Sequence, residues 1–499
     1  MIEINLGDCL EQMCRMDDSS VDAIVTDPPY GLSKTDTARV AETIGRWMSG
    51  DTTYTPTGRG FMGKDWDSFV PPPAVWEECM RVLKPGGHMA VFAGARTQDL
   101  MGLSVRLAGF EIRDTLGWVY GSGFPKSHDI GKAIDKRPGV HHHREFAAHL
   151  KEKREAAGLS RQDVSERVVG TRSGACWNWE HHQFPKYEWW PALRDLLGLD
   201  EARWGQIVAE ADREVVGSST NGIAGGTGEH AGEPGSYGFR KEFNITTPAT
   251  SEAQRWSGWG TALKPAIEPI ILARKPLDGT VANNVLAHGV GGLNIDACRV
   301  GDDIRPKGAS TGEVVSDNGS MAGPNTGSMV VGTVTGRFPA NVLLDEHAAK
   351  EMDKQSGVLK GRGNKSESKP TYSGGGATSF ANGANFPFSH DNGGGASRFF
   401  PVFKYQAKAP KKERPVIERE DGTKIQHPTV KPVALMEWLI ALITPPNGTV
   451  LDPFAGSGTT LQAARNKGFN AIGIEQDADY VKLIHQRLQT DPLQEKETA

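Results

Sequence analysis

Cysteine is scarce and scattered in this chain of 499 residues, which holds only Cys9, Cys14, Cys79, Cys176 and Cys298. An odd number, never spaced as C-x-x-C, excludes a disulfide framework and a cysteine-rich zinc site. No apolar run approaches the ~18 residues of a membrane span, and the opening MIEINLGDCLEQM lacks the basic-then-apolar order of a secretory signal. These absences predict a reduced, cytoplasmic setting with no membrane partner. Positive charge is not in excess either, because 56 Lys and Arg stand against 61 Asp and Glu, a net charge of -5. A uniformly basic coat is therefore excluded, although a local basic face is not. Glycine, by contrast, is abundant: 60 residues, well above the usual ~7%. Eight of them fall in 217–238 and ten in 357–397, tracts without periodicity that read as loops.

Strand and helix patterns alternate at both ends of the chain. Ile2–Leu6 and Asp22–Thr26 read as strands around a short amphipathic helix. A helix at 73–83, a turn at Lys84–Gly87, a buried strand at 88–94, a helix at 97–110 and a strand at 112–120 follow. The closing part reads as helix 432–443, strand and turn 449–460, helix 461–469, strand 471–477 and helix 480–489. This alternation predicts an α/β fold with a mostly parallel sheet. Residues 145–200 interrupt it with several short helices, and AIEPIILARKP near 266 resumes as a strand.

Two motifs carry chemistry. In Leu451-Asp452-Pro453-Phe454-Ala455-Gly456-Ser457-Gly458-Thr459-Thr460 a strand ends in an acid and a glycine turn opens a helix. Glycines let backbone approach a ligand closely, and an ATP-type phosphate loop is excluded because its lysine is missing. Glu475 ends the next strand, 17 residues past Gly458, where an acid can accept ribose hydroxyls. Together these favour a nucleoside cofactor over a merely structural turn. In Thr26-Asp27-Pro28-Pro29-Tyr30 two prolines take the chain out of its sheet. The Asp27 carboxylate and the Pro28 carbonyl can then accept both hydrogens of one planar amine, with Tyr30 offering a ring for stacking. An Asp-Pro pair is also an ordinary turn signal, but this set suits the exocyclic amine of an extruded base.

DPPY in combination with FAGSG resembles the DNA amino-methyltransferases, and the order, catalytic tetrapeptide first and glycine loop last, resembles their permuted β class. LGWVYGSGFPKSHDI and SRFFPVFKYQAKAPKKER look like segments of phage-type adenine methylases. The resemblance implies a Rossmann-like, circularly permuted α/β fold dependent on S-adenosylmethionine, with a small all-α insertion, acting on double-stranded DNA. It implies catalytic roles for Asp27, Pro28, Pro29 and Tyr30. It assigns the cofactor to Asp8, Cys9, Thr429 and Lys431 (in HPTVKP), Asp452, Pro453, Phe454, Ala455, Gly456, Ser457, Gly458, Thr459, Glu475 and Gln476. Trp118 is expected on the flipped base, with a core position as the alternative. Segments follow accordingly: 1–140 the catalytic half, 141–212 a helical insertion, 213–262 a glycine-rich loop, 263–276 a core strand, 277–397 a target-recognition region with glycine-rich loops, and 398–499 the cofactor half. Carbon-5 methylation is excluded, since it needs a cysteine nucleophile in a Pro-Cys context and no cysteine here follows proline. Asp in the first motif position favours adenine N6 over cytosine N4, which stays open because it uses the same amine chemistry. An inactive DNA-binding regulator on this fold is the rival from another class. The resemblance leaves a homodimeric state and a companion restriction enzyme open, in a bacterial or phage-infected cell and at the nucleoid.

DNA contacts are expected in two places. Residues 398–431 hold nine Lys or Arg, among them Arg398, Lys404, Lys408, Lys411 and Lys412, against four acids. Such a run is either a solvated loop or a phosphate-contacting surface. The segment EFAAHLKEKREAAGLSRQDVSERV with GTRSGACWNWE resembles a phage-repressor helix-turn-helix. Gly158 would end its first helix, Ser160 would cap the second, and a recognition helix starting near Thr171 would present Arg172 and Asn178. Trp177, Trp179, Trp189 and Trp190 are expected in its core, and a dimerisation or packing role is the alternative. His141-His142-His143 lack partner acids at ligand spacing, so no metal is expected.

Overall fold

Val21–Thr26 is buried at every one of its six residues, which a strand achieves only when both sheet faces are covered. Alternate side chains sort to opposite sides. Ala23 and Val25 join a cluster with Ala90, Phe92 and Leu435, whereas Ile24 joins one with Met89, Val91 and Trp76. Each large aliphatic side chain so buried contributes ~1.5–3 kcal/mol. The computed structural model describes residues 1–33, 36–58, 67–121, 123, 127–135, 143–211, 215–219, 243–246, 251–306, 333–358, 393–403, 415–419 and 421–489. These fall into two compact units, 1–123 with 266–499, and 124–265.

In the first unit nine strands make one sheet. They are β1 (Ile2–Leu6), β2 (Val21–Thr26), β3 (Leu83–Phe92), β4 (Glu111–Val119), β5 (Ile267–Arg274), β6 (Val342–Asp345), β7 (Val402–Phe403), β8 (Thr449–Asp452) and β9 (Asn470–Glu475). Their spatial order is β1-β9-β8-β2-β3-β5-β4-β6-β7. Every neighbouring pair is parallel except those of β5, which runs antiparallel to β3 and β4. The order is thus that of an α/β methyltransferase fold with one reversed strand. From β2 the chain crosses outward to β3, and from β8 it crosses the opposite way to β9. The carboxyl ends of β2 and β8 therefore lie side by side where the order reverses, the place at which open α/β sheets bind ligands. The Lys84–Gly87 segment, expected as a turn, lies within β3; Gly86 at φ 75 absorbs an irregularity in its pairing with β2. Two strands, β6 and β7, come from the region expected to read DNA or from just beyond it. Among the described residues no helix is long and apolar enough to cross a membrane.

Among the described residues the second unit contains the short helices Ile130–Asp135 and Ser251–Arg255 and, between them, a helical group of His143–Ala156, Arg161–Val169, Ala175–His181, Trp190–Leu197 and Glu201–Ala211. Phe146, Leu150, Val164, Trp179, Trp190 and Trp204 form its core. Gly158 is left-handed at φ 68, and Ser160 and Asp163 cap the next helix reciprocally. The third helix of this group starts at Ala175 rather than near Thr171, with Gly174 at its cap. Trp177, expected inside, is 44% exposed and stacks on His181 at 4.6 Å; at this register Cys176, Trp179 and Glu180 take the inward positions. The Glu180 carboxylate is fully enclosed and meets Arg154 and Arg161, each at 2.6 Å. Burial pushes it up, but the two guanidiniums outweigh that and hold it below its ordinary range.

Candidate active site

The two motifs meet through side chains that leave the ends of β2 and β8. Thr26 is completely buried, and its hydroxyl donates to Asp452 Oδ1 at 2.7 Å. Thr460 donates to Oδ2 at 2.5 Å and the Phe454 amide to Oδ1 at 3.1 Å. Burial still dominates and pushes the Asp452 carboxyl up to about 6. Asp452 thus serves as the anchor that shapes the loop behind it.

That loop turns through Gly456 (φ 54) and Gly458 (φ 77) into the helix Thr459–Asn466. Pro453, Ala455, Ser457 and Thr459 are buried, and Phe454 packs on Trp76 with ring centres 6.4 Å apart. Arg487 donates to the Ser457 carbonyl at 2.6 Å and to its hydroxyl at 3.2 Å. Glu475 accepts from the Gly456 amide and the Asp477 amide, each at 2.8 Å. An ionised carboxylate has about four lone-pair sites, so two acceptor positions stay free for hydroxyl donors. Burial raises this carboxyl to about 7. Gln476 and Thr429 are exposed. Asp8 caps the short helix Cys9–Met13, accepting from the amides of Leu10 at 2.9 Å and Glu11 at 3.3 Å, and burial pushes the Cys9 thiol up to about 12. His427 reaches the loop from the other side. A Cβ on Gly456 would come 3.0 Å from its Nε2.

Asp27 emerges from β2 into a four-membered cluster. The Tyr30 hydroxyl donates to Asp27 Oδ1 at 2.8 Å and lies 3.3 Å from Glu268 Oε2. Lys431 donates to Asp27 Oδ2 at 2.7 Å and pairs with the same Glu268 oxygen at 3.3 Å. Its ammonium also lies 5.2 Å from the Tyr30 ring centre and 5.0 Å from that of Phe92. Burial alone would lower the ammonium, but Asp27 and Glu268 hold it above its ordinary value. Burial first, then the two carboxylates, keep Tyr30 protonated well past its ordinary range. The backbone here is pinned on both sides, with Thr97 donating to the Tyr30 carbonyl at 2.6 Å and the Gly31 amide to Asp67 at 2.9 Å. Pro28 is buried and Pro29 partly so.

Sequence reasoning brought together Asp27, Tyr30, Asp452, Gly456 and Glu475, and the structure does the same. It placed Lys431 at the cofactor, whereas the side chain lies on Asp27. Trp118, expected against an extruded base, is 1% exposed and packs on Phe403 at 5.9 Å. Period-two alternation puts Leu116, Trp118 and Tyr120 on the same core face, so this ring has no open side. Arg172 pairs with Glu166 at 2.9 Å and Asp163 at 3.3 Å, and Asn178 is half-buried. Arg398 donates to the carbonyls of Gly394 at 2.8 Å and Gly395 at 2.6 Å and covers the Phe399 ring. Lys404, Lys408, Lys411 and Lys412, the tract 220–238 and most of 357–397 lie outside the described residues. Glu268, Thr97 and Asp67 were missed, and Thr26, although named in the motif, was given no role of its own. Only Glu268 carried a signal, an acid directly before the apolar buried run Pro269–Ala273.

The fold and the site define an α/β protein with a buried carboxylate cluster and a glycine-rich loop on adjacent strands at the point of reversal. A family profile described as DNA methylase (N6_N4_Mtase) matches residues 21–189 and 335–486, more than half of the chain, and the chain belongs to that family. It is 44% identical over 77 residues to the type II methyltransferase M.HinfI of Haemophilus influenzae, covering 15% of this chain and 21% of that one. To M2.LlaDCHI, a type II methyltransferase of Lactococcus lactis subsp. cremoris, it is 43% identical over 63 residues, 13% and 23% of the two chains. These alignments span less than a quarter of the relatives' own length. Among solved structures, the PvuII cytosine-N4-specific DNA methyltransferase aligns with a TM-score of 0.36 at 12% identity, over 99% of this chain and 88% of that one.

Proposed function

We propose that this protein transfers a methyl group from S-adenosylmethionine to the N6 amine of an adenine swung out of double-stranded DNA. The observation that carries the reading is the pairing of Asp27 and Tyr30, at the end of β2, with the glycine loop of β8 through the Thr26–Asp452 hydrogen bond. An amine on adenine is a poor nucleophile because its lone pair is delocalised into the ring. Accepting its two hydrogens at Asp27 and the Pro28 carbonyl localises that pair, and preorganised acceptors stabilise the charge developing on nitrogen. Tyr30 supplies a stacking face that returns part of the unstacking cost of a few kcal/mol.

The cofactor would supply the methyl group. Its ribose hydroxyls fit the free acceptor positions of Glu475, and the backbone from Asp452 to Thr459 would line its other side with Asp8, Cys9, Thr429 and Gln476 nearby. Arg398, Lys404, Lys408, Lys411 and Lys412 are assigned to DNA phosphates, and the unit containing Arg172 and Asn178 to a second DNA contact. Adenine is preferred to cytosine because the first motif position is Asp27.

Single-molecule sequencing of DNA from cells expressing the protein, beside an Asp27→Ala control, tests all of this together. A modified adenine motif present only with the intact chain is expected. N4-methylcytosine in its place would shift the base assignment. No modified base, from soluble protein that binds S-adenosylmethionine, would replace the enzyme reading with that of a DNA-binding regulator.

A further inference from the structure

Both oxygens of Asp27 already accept from the protein itself, Oδ1 from Tyr30 at 2.8 Å and Oδ2 from Lys431 at 2.7 Å. A target amine must either displace one of these donors or share an oxygen whose charge a donor already draws on, which makes it a weaker acceptor. Lys431 and Tyr30 both have Glu268 at 3.3 Å as a second acceptor. Tyr30, however, is pinned as the stacking platform by its backbone bond to Thr97, which leaves Lys431 as the donor to move. Glu268 stands on the reversed strand β5, and its Oε2 also lies 3.3 Å from the Tyr30 hydroxyl. Lys431 is 9% exposed, so an ammonium without a carboxylate there would be a buried unpaired charge.

We propose that Glu268 is a positioning residue, which draws Lys431 off Asp27 so that the amine of the target base can dock. The proposal rests on the amine-methylation reading of the site. Two carboxylates share one ammonium in this cluster. When a neutral amine takes Oδ2 of Asp27, Lys431 shifts toward Glu268 and stays paired, while Asp27 is held by hydrogen bonds from the amine and the Tyr30 hydroxyl. Without Glu268 the ammonium has a single carboxylate partner, and the amine must compete with it for Asp27.

The test uses the full-length protein without cofactor. The probe is a duplex carrying 2-aminopurine beside the adenine located by sequencing, which keeps the target's own amine and whose fluorescence rises when that neighbour leaves the stack. Glu268→Gln keeps the shape and removes the charge. Its docking affinity is expected to fall at least ~10-fold, as for loss of a buried charge partner, with binding to unrelated duplex unchanged. Adding Lys431→Met removes the competitor and is expected to restore docking to the level of Lys431→Met alone. No loss in Glu268→Gln, or a loss that Lys431→Met does not relieve, overturns the proposal. Should Glu268→Gln fail to fold, Lys431→Met with and without Glu268→Gln decides, since equal docking supports it and a further ~10-fold fall refutes it. Failure of the methylation reading itself shows separately, as wild-type protein that leaves no modified base.

Discussion

Thr26 and Asp452, 426 positions apart in the chain, are joined by a buried hydrogen bond of 2.7 Å. It links the strand that carries Asp27 to the strand that carries the glycine loop. Thr26→Val keeps the shape and deletes the donor. The Asp452 carboxylate would then lack one of its partners, at a cost of ~1–3 kcal/mol. Urea unfolding should show a lower midpoint with an unchanged slope, and an identical midpoint would remove the bond from the account.

Glu475 gives the protein a pH dependence of definite sign. Its carboxyl is raised from 4.5 to about 7 by burial, so between those values the folded protein binds more protons than the unfolded chain. Stability is accordingly expected to fall as pH rises from 4.5 through 7, and Asp452, raised from 3.8 to about 6, adds in the same direction. Hydroxyl donors on a bound cofactor favour the ionised form. Calorimetry of S-adenosylmethionine binding at pH 7 in buffers of different ionisation enthalpy should therefore report proton release. Glu475→Gln should abolish that release; its persistence would assign the proton elsewhere.

Gly458 sits at φ 77, and a Cβ there would lie 2.9 Å from Ile484 Cγ2. The left-handed backbone alone penalises an L side chain by ~1–2 kcal/mol, and the contact adds to it. Gly458→Ala should lower the melting temperature, and it should weaken cofactor binding because the loop depends on this turn. A stability unchanged within error would mean that the turn relaxes freely.

In the helical unit, Glu180 is the shared partner of two arginines. Glu180→Gln leaves Arg154 and Arg161 without their common carboxylate, which for a buried network costs ~3–5 kcal/mol. Hydrogen exchange should show residues 143–211 losing protection while β2, β3 and β8 keep theirs. Uniform loss across both units would mean that they unfold together.

Local chemistry wrote most of the elements into the sequence. The strands β2, β8 and β9 and the helices that follow β8 and β9 lie within a few residues of where periodicity, prolines and glycines put them, because these signals act within a turn or two of chain. Ser160 as a cap and Gly158 as a helix stop were legible for the same reason. Trp177 and Trp118 were not, since the same indole suits a core or a surface, and only the faces of neighbouring elements decide which.

By itself the sequence determined that a carboxylate followed by two prolines leaves one strand and that a glycine turn leaves another, each opening a segment suited to a ligand. Which strands adjoin was decided by the sheet, where the order β9-β8-β2-β3 sets the two motifs side by side. So was the Asp27 cluster. Lys431 comes from 404 positions away in the chain and Glu268 from a strand running the other way. The pairing of buried charges depends on what the folded chain brings within ~4 Å, and separation along the sequence carries no record of that distance.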